Sequence, residues 1–138
     1  MKKESHMPHQ VAVVSVARSN EDFRRVLFTG ERSQLVVMTI PTGGEVGDER
    51  HDHVEQTLFC LSGSGTAILD GARSAFVPGD AVVVTPGTQH NFLNTGTEAL
   101  KIYTIYAPAN HIDGRVHHTK ADADADTADE AFGHQIGG

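Results

Sequence analysis

Residues 56–94 read QTLFCLSGSGTAILDGARSAFVPGDAVVVTPGTQHNFLN, and this stretch decides the fold class. Short apolar blocks alternate in it with turn residues: Gly63, Asp70-Gly71, Pro78-Gly79 and Pro86-Gly87. Strands of roughly four to eight residues separated by Gly, Pro and Asp turns are typical of an all-β sandwich or barrel.

The same pattern continues on both sides of this stretch. Further strand-like blocks cover residues 11–16, 23–29, 34–41 and 100–106. No 3.6-residue hydrophobic period competes with them before residue 119. We therefore predict a single all-β domain over residues 10–118.

The two ends of the chain differ from this domain. Residues 1–9 are expected to form a flexible leader, in which Ser5-His6-Met7 resembles a cloning-site remnant. Residues 119–138 form an acidic tail in which Ala and Asp alternate from Ala121 to Asp126. That alternation gives a helix no apolar face, so the tail is expected to be disordered or to form a short helix.

The composition excludes several classes of protein. The 138 residues contain 11 Lys plus Arg against 18 Asp plus Glu, so neither a nucleic-acid partner nor a membrane surface is expected. A single cysteine, Cys60, excludes a disulfide framework and suits a reducing compartment. No apolar run is long enough to span a membrane, and a cytoplasmic location is expected. Nine histidines are the unusual count, and they favour metal binding or proton transfer.

Residues 43–63, GGEVGDERHDHVEQTLFCLSG, hold most of the candidate ligands. Glu49 and His51 are two residues apart, so in an extended chain they face the same side. If the turn at residues 52–54 shifts the strand phase, Gln56 points inward with them. His90 follows the Pro86-Gly87 turn and would complete the cluster from a neighbouring strand.

This spacing resembles the two motifs of the cupin superfamily, whose members are small double-stranded β-helix barrels. The family's first motif places His-x-His and then Glu at fixed distances before a glycine. Counted back from Gly63, these positions fall on Glu49, His51 and Gln56. The second motif, Pro-x-Gly-x-x-His-x-x-x-Asn, is matched by Gly87, His90 and Asn94, with Pro86 one place late.

Residues 20–121 also resemble one cupin branch, the small single-domain proteins described as mannose-6-phosphate isomerase-like. The segments that carry this resemblance are residues 23–31, 33–36, 54–56, 103–108 and 113–120. The resemblance implies a single jelly-roll-like barrel that holds one divalent metal ion, although Glu and Gln replace a His and the Glu of the family. The implied ligands are Glu49, His51, Gln56 and His90, a set that suits Mn, Fe, Ni or Zn.

A second ligand set remains possible, because in a straight strand His51 and His53 would themselves supply the two histidines of the His-x-His motif. It consists of His51, His53, Glu55 and His90, and it would turn Phe59 and Leu61 inward. In the first set, His53, Tyr103 and Lys101 are candidates to contact the ligands or the substrate. Arg24 and Arg25 are expected in solvent, although a phosphate-bearing substrate would need at least one of Arg24, Arg25 and Lys101 turned to the pocket. The histidines expected at the surface, with the barrel mouth as the alternative, are His111, His117 and His118.

The function that this pattern favours is a metal-dependent enzyme acting on a small polar molecule, in the manner of a sugar isomerase. An Fe-dependent dioxygenase is one alternative, and a non-catalytic module that binds a metal or a small molecule is another. Residues 58–61 are apolar on both faces of their strand, so a homodimer is expected to cover the outer face.

Overall fold

Alternating burial along the strands builds the protein around one apolar interior. The computed structural model describes residues 7–137. Its elements are α1 (Val13–Ser19), β1 (Arg24–Thr29), β2 (Gln34–Ile40), β3 (Glu55–Ser62), β4 (Gly65–Leu69), β5 (Ala72–Phe76), β6 (Ala81–Val84), β7 (His90–Asn94), β8 (Leu100–Ala107), β9 (Val116–His117), α2 (Lys120–Ala125) and α3 (Thr127–Gly137).

The strands form two antiparallel sheets. The larger sheet has the order β6-β3-β8-β2-β1-β9, and the smaller sheet has the order β5-β4-β7. Phe76 and Phe92 from the smaller sheet meet with ring centroids 5.1 Å apart and are fully buried. With Leu58 and Ile102 from the larger sheet, they belong to one continuous core. The all-β jelly-roll-like architecture predicted from the sequence is therefore correct.

Turn chemistry fixes two of the connections. Asp70 and Gly71 have φ angles of 48° and 85°, which are the positive values that a two-residue hairpin between β4 and β5 requires. Gly63 has a φ of 82°, and a Cβ there would lie 2.5 Å from the carbonyl oxygen of Ala99. Only glycine fits that position, so the glycine from which the motif positions were counted has a structural role.

The two candidate ligand sets require opposite faces of β3 to point into the barrel, and the burial of its side chains distinguishes between them. Gln56, Leu58 and Cys60 are buried, whereas Glu55 is exposed and Phe59 is half-buried. The inward face is thus the one that the first ligand set requires. On the outward face, Phe59 stacks on Tyr103 of β8 with ring centroids 4.8 Å apart.

No strand forms over residues 11–16, the segment predicted as a first strand; residues 13–16 instead begin helix α1. Its valines favour a strand locally, but the helix packs on the outer face of β2, β3 and β8 and buries Ala17 completely. Tertiary packing overrides the local propensity here. The helix also covers part of the face for which a homodimer was expected.

The acidic C-terminal segment forms α2 and α3 rather than a solvated tail. Asp126 accepts hydrogen bonds from Arg115 Nε at 2.8 Å and from His117 Nε2 at 2.9 Å. The hydrogen bond from Arg115 is the largest of several contacts that hold the pKa of Asp126 well below its usual range.

Of the expected leader, residues 1–6 lie outside the described residues, and His9 stacks on Phe28 with ring centroids 4.6 Å apart. No helix in residues 7–137 combines the length and the apolar character that crossing a bilayer requires.

Candidate metal centre

Backbone hydrogen bonds bring the two motif segments together. The amide of Glu49 donates to His90 O at 2.9 Å, and the amide of His90 donates to Glu49 O at 2.8 Å. The amide of Gly87 also donates to His51 O at 2.8 Å. The loop before β3 therefore runs antiparallel to the start of β7, and three predicted ligands lie at one place.

Glu49, His51 and His90 offer ligand atoms that all lie within 4.8 Å of one another. Glu49 Oε1 lies 3.3 Å from His51 Nε2, and the two imidazole centroids are 5.3 Å apart. Two imidazole nitrogens and one carboxylate suit Mn, Fe, Ni or Zn. The three side chains thus match a metal site in both chemistry and spacing.

The hydrogen bonds of His90 set its tautomer. Its Nδ1 lies 2.9 Å from the carbonyl oxygen of Thr88, which can only accept, so Nδ1 carries the proton. The lone pair of Nε2 is then free, and this buried atom has no hydrogen-bond partner within the described part of the chain. Burial also lowers the pKa of His90, which keeps the ring neutral. A neutral imidazole with a free, buried Nε2 is the state that a metal ion binds.

Glu49 is held in its ionised form. Burial opposes its ionisation, but its contact with His51 and the positive charge of Arg24 outweigh this and lower its pKa from 4.5 to about 2. The Nε2 of His51 is buried and, like that of His90, makes no hydrogen bond with the described residues. These orphaned nitrogens beside an ionised carboxylate fit a divalent cation.

The remaining predicted site residues are placed differently. Gln56 is buried on the inner face of β3, and its Nε2 donates to Thr104 Oγ1 at 3.1 Å. His53 is exposed. Tyr103 and Lys101 lie on the outer face of β8, where Lys101 Nζ donates to the carbonyl oxygen of Asn20. Neither of these two lines the cavity beside Glu49 and His51.

That cavity has a volume of about 150 Å³. It lies between the mouth of the barrel and helices α2 and α3. Its inner wall includes Arg24, Glu49, His51, Asn110, His111 and Asp129. The volume is below the roughly 300–1,000 Å³ of pockets for drug-sized ligands, so a ligand here must be small.

Four of these lining residues, Arg24, Asn110, His111 and Asp129, were not predicted as site residues. His111 and Arg24, both expected at the surface, are only 7% and 5% exposed, and Asp129 is 4% exposed. His117, also expected at the surface, is 3% exposed, whereas His118 is exposed as expected. The sequence offers no periodic signal for His111, because it lies in the loop after β8. Arg24 lies two residues before the buried Val26 on β1, so the two side chains share the inner face of the strand, and this spacing is the signal that could have identified Arg24.

Asp129 orients His111 within the cavity. Its carboxylate accepts hydrogen bonds from His111 Nδ1 and from the amide of Ile112, each at 2.7 Å. Burial opposes ionisation of Asp129, but the bond from His111 prevails and its pKa is lowered. An ionised carboxylate only accepts, so the proton is on Nδ1 and His111 Nε2 is a free base. That atom is buried without a partner among the described residues.

The chain is similar to a known protein family and to several known proteins. Residues 36–106 match the cupin domain family. The uncharacterized protein YrkC of Bacillus subtilis is 38% identical over 122 residues, which are 84% of this chain and 66% of YrkC. The chain thus spans just under two thirds of that relative.

Two solved structures are also similar. The crystal structure of BH2720 from Bacillus halodurans matches with 36% identity and a TM-score of 0.85, over 86% of this chain and 95% of that one. An Acidithiobacillus ferrooxidans structure, whose name suggests a sugar phosphate isomerase, matches with 25% identity and a TM-score of 0.54, over 59% and 53% of the chains. From the family match over more than half of its length, together with the fold, this chain belongs to the cupin family.

Proposed function

We propose that the protein is a metal-dependent enzyme whose divalent ion, held by Glu49, His51 and His90, acts on a small polar molecule. The observation that carries this proposal is the buried Nε2 of His90, which has no hydrogen-bond partner among the described residues, beside His51 Nε2 and its 3.3 Å contact with the Glu49 carboxylate. Burying such groups without a partner is costly, and a cation removes that cost. Gln56 is proposed as a further ligand, through its amide oxygen.

The free Nε2 of His111 favours an enzyme over a binding module. It lies in the wall of the same cavity and is oriented by Asp129. Burial lowers the pKa of His111, and the charge of Arg24 lowers it further, so the ring is neutral at pH 7. A neutral imidazole held in one tautomer can accept a proton from a substrate carbon or hydroxyl.

The chemistry divides between the ion and the side chains. When bound, the divalent ion supplies Lewis acidity to a carbonyl or hydroxyl oxygen. His111 Nε2 would accept a proton from the bound molecule and could return it to a neighbouring atom of that molecule. Asp129 stabilises the imidazolium formed in between, and helices α2 and α3 limit access of water. Proton transfer next to a carbonyl is the step that a sugar isomerase needs, so that reaction class remains our first proposal.

The metal site is tested by elemental analysis after incubation with Mn²⁺, Fe²⁺, Ni²⁺ or Zn²⁺. We expect about one ion per chain, and its loss in His51→Ala and His90→Ala. His53→Ala is the matched control, because His53 is exposed and lies two residues from His51. Equal loss of metal in His51→Ala and His53→Ala would contradict the assigned ligands.

The reaction class is tested on the metal-loaded protein. Small hydroxy-aldehydes and hydroxy-ketones are incubated in D₂O, and exchange of hydrogen at carbon is followed by NMR. We expect exchange in the wild type and its loss in His111→Gln at unchanged metal content. Oxygen uptake by the Fe²⁺ form would instead favour the dioxygenase. Metal binding with neither reaction would favour the binding module.

A homodimer and a cytoplasmic location stay predictions. Val83 and Ile105 lie on either side of Thr57 on the outer face of the larger sheet and are 53% and 37% exposed. These two exposed side chains lie on the face of the larger sheet that a second copy of the chain is expected to cover.

A further inference from the structure

Arg24 is a buried cation in the wall of the metal cavity. It begins β1, where it pairs with Met38 of β2 on one side and with His117 of β9 on the other. It is 5% exposed, and its Nε has no hydrogen-bond partner within the described part of the chain. An arginine is always charged, so burying it without full pairing destabilises the fold unless a ligand completes the pairing.

The carboxylates near Arg24 have other partners. Asp129 is already bonded to His111 and to the amide of Ile112. Glu49 is the proposed metal ligand and contacts His51. The hydroxyl of Tyr106 lies close to the guanidinium, but burial raises its pKa to about 12, so it stays neutral. The guanidinium carbon also lies 5.1 Å from the centroid of the Phe23 ring. Together these neighbours leave Arg24 Nε without an acceptor among the described residues, and a molecule in the cavity can supply one.

The charges in the cavity wall indicate the sign of the charge on that molecule. With a divalent ion in place, the carboxylates of Glu49 and Asp129 cancel the charge of the ion. Arg24 then leaves one positive charge over, because His51, His90 and His111 are neutral when they coordinate metal or are free bases. Arg50, Asp124 and Glu130 lie at the exposed rim, where solvent and salt screen them, and Arg50 pairs with Asp52. The inner cavity therefore favours a single negative charge.

From these contacts we infer that the substrate is a small organic anion whose carboxylate or phosphate group binds Arg24. A planar guanidinium binds such groups through paired hydrogen bonds. The cavity volume of about 150 Å³ limits the molecule to a few non-hydrogen atoms beyond the anionic group. The free Nε2 of His111 adds a second requirement, because it can only accept, so the same molecule carries a hydroxyl or an acidic C–H. This inference rests on the proposed metal-dependent function and specifies its substrate class.

Calorimetric titration of the Mn²⁺-loaded protein tests the inference. The probes are glycolate, methyl phosphate and the neutral analogue glycolamide, and the two anions distinguish a carboxylate from a phosphate. We expect one of the anions to bind the wild type more tightly than glycolamide. A charge-assisted hydrogen bond predicts that Arg24→Gln weakens anion binding about ten- to a hundredfold. Binding of glycolamide should change little.

Arg25→Gln is the matched control. Arg25 is the next residue on β1, has the same charge and is exposed on the opposite face. It should leave anion binding within about twofold, since an exposed charge is screened. Arg24→Lys retains the charge but loses the paired geometry, so it should bind anions between the wild type and Arg24→Gln.

Three outcomes would overturn the inference. The first is equal weakening by Arg24→Gln and Arg25→Gln, and the second is equal binding of glycolamide and the anions by the wild type. The latter comparison needs no variant, so it stands even if Arg24→Gln fails to fold. The third is metal-loaded protein that binds no anion. Wild-type protein that takes up no metal would instead contradict the proposed function itself, and elemental analysis of each sample separates these cases.

Discussion

Replacing Asp129 by Asn isolates the contact that fixes both α3 and His111. Asp129 is 4% exposed, and its two carboxylate oxygens accept from His111 Nδ1 and from the amide of Ile112 at 2.7 Å each. Asparagine has the same size but only one acceptor oxygen. If that oxygen keeps the bond to Ile112, the amide NH₂ faces His111 Nδ1, which also carries a proton.

The expected loss follows from that one bond. A hydrogen bond to a charged group contributes about 1.5–3 kcal/mol, so the free energy of unfolding should fall by about that amount. For a domain of this size, the melting temperature falls about 4 °C per kcal/mol, so a decrease of about 6–12 °C is expected. Thermal unfolding followed by circular dichroism measures it.

Asp124→Asn is the control for this experiment. The Asp124 side chain is 65% exposed and pairs with Lys120 within α2. Exposed pairs of this kind contribute about 0.3–0.5 kcal/mol, so the control should melt within about 2 °C of the wild type. Hydrogen exchange should become faster across residues 127–134 in Asp129→Asn alone. Equal melting temperatures for the two variants would refute the role of Asp129 in anchoring α3.

The remaining predictions concern pH, thiol reactivity and metal. Burial lowers the pKa of His90 and of His111, so between their folded pKa values and about 6.5 the unfolded state binds more protons than the folded state. The urea midpoint of the metal-free protein should therefore rise from pH 5.5 to 7.5, and a flat or falling profile would be inconsistent with neutral buried rings. Burial raises the pKa of Cys60 to about 11, so iodoacetamide at pH 8 should label this thiol only after unfolding, and fast labelling of the native protein would show it to be accessible. A divalent ion at a hundred times its Kd should stabilise the wild type by about 2.7 kcal/mol, and His90→Ala should show no such rise in melting temperature.

The barrel could be predicted from the sequence because its signals are local. Each strand is short, and each turn has the residues that its geometry requires, as Asp70-Gly71 does. Three of the four proposed metal ligands, Glu49, His51 and His90, could be predicted to lie together because they fall within two short segments of the sequence. The count that selected Glu49, His51 and Gln56 starts from Gly63, where the close approach to Ala99 requires glycine.

The cavity wall could not be predicted, because it depends on long-range packing. Asp129 meets His111 across 18 residues from helix α3, which follows the alternating segment of residues 121–126. Asp129 is buried while Asp124 and Glu130 are exposed, and nothing in the local sequence pattern distinguishes the buried carboxylate from the exposed ones. Helix α1 was missed for a related reason, since it contacts the larger sheet and buries Ala17, and local patterns cannot reveal that contact.

The paired backbone bonds between Glu49 and His90 have a consequence for handling the protein. Main-chain atoms alone hold these two positions together, at 2.9 and 2.8 Å, so the site is assembled before any ion arrives. Folding and loading are then separate events. One preparation, stripped with a chelator and kept in its native state, can be reconstituted with a series of cations and compared ion by ion without a refolding step.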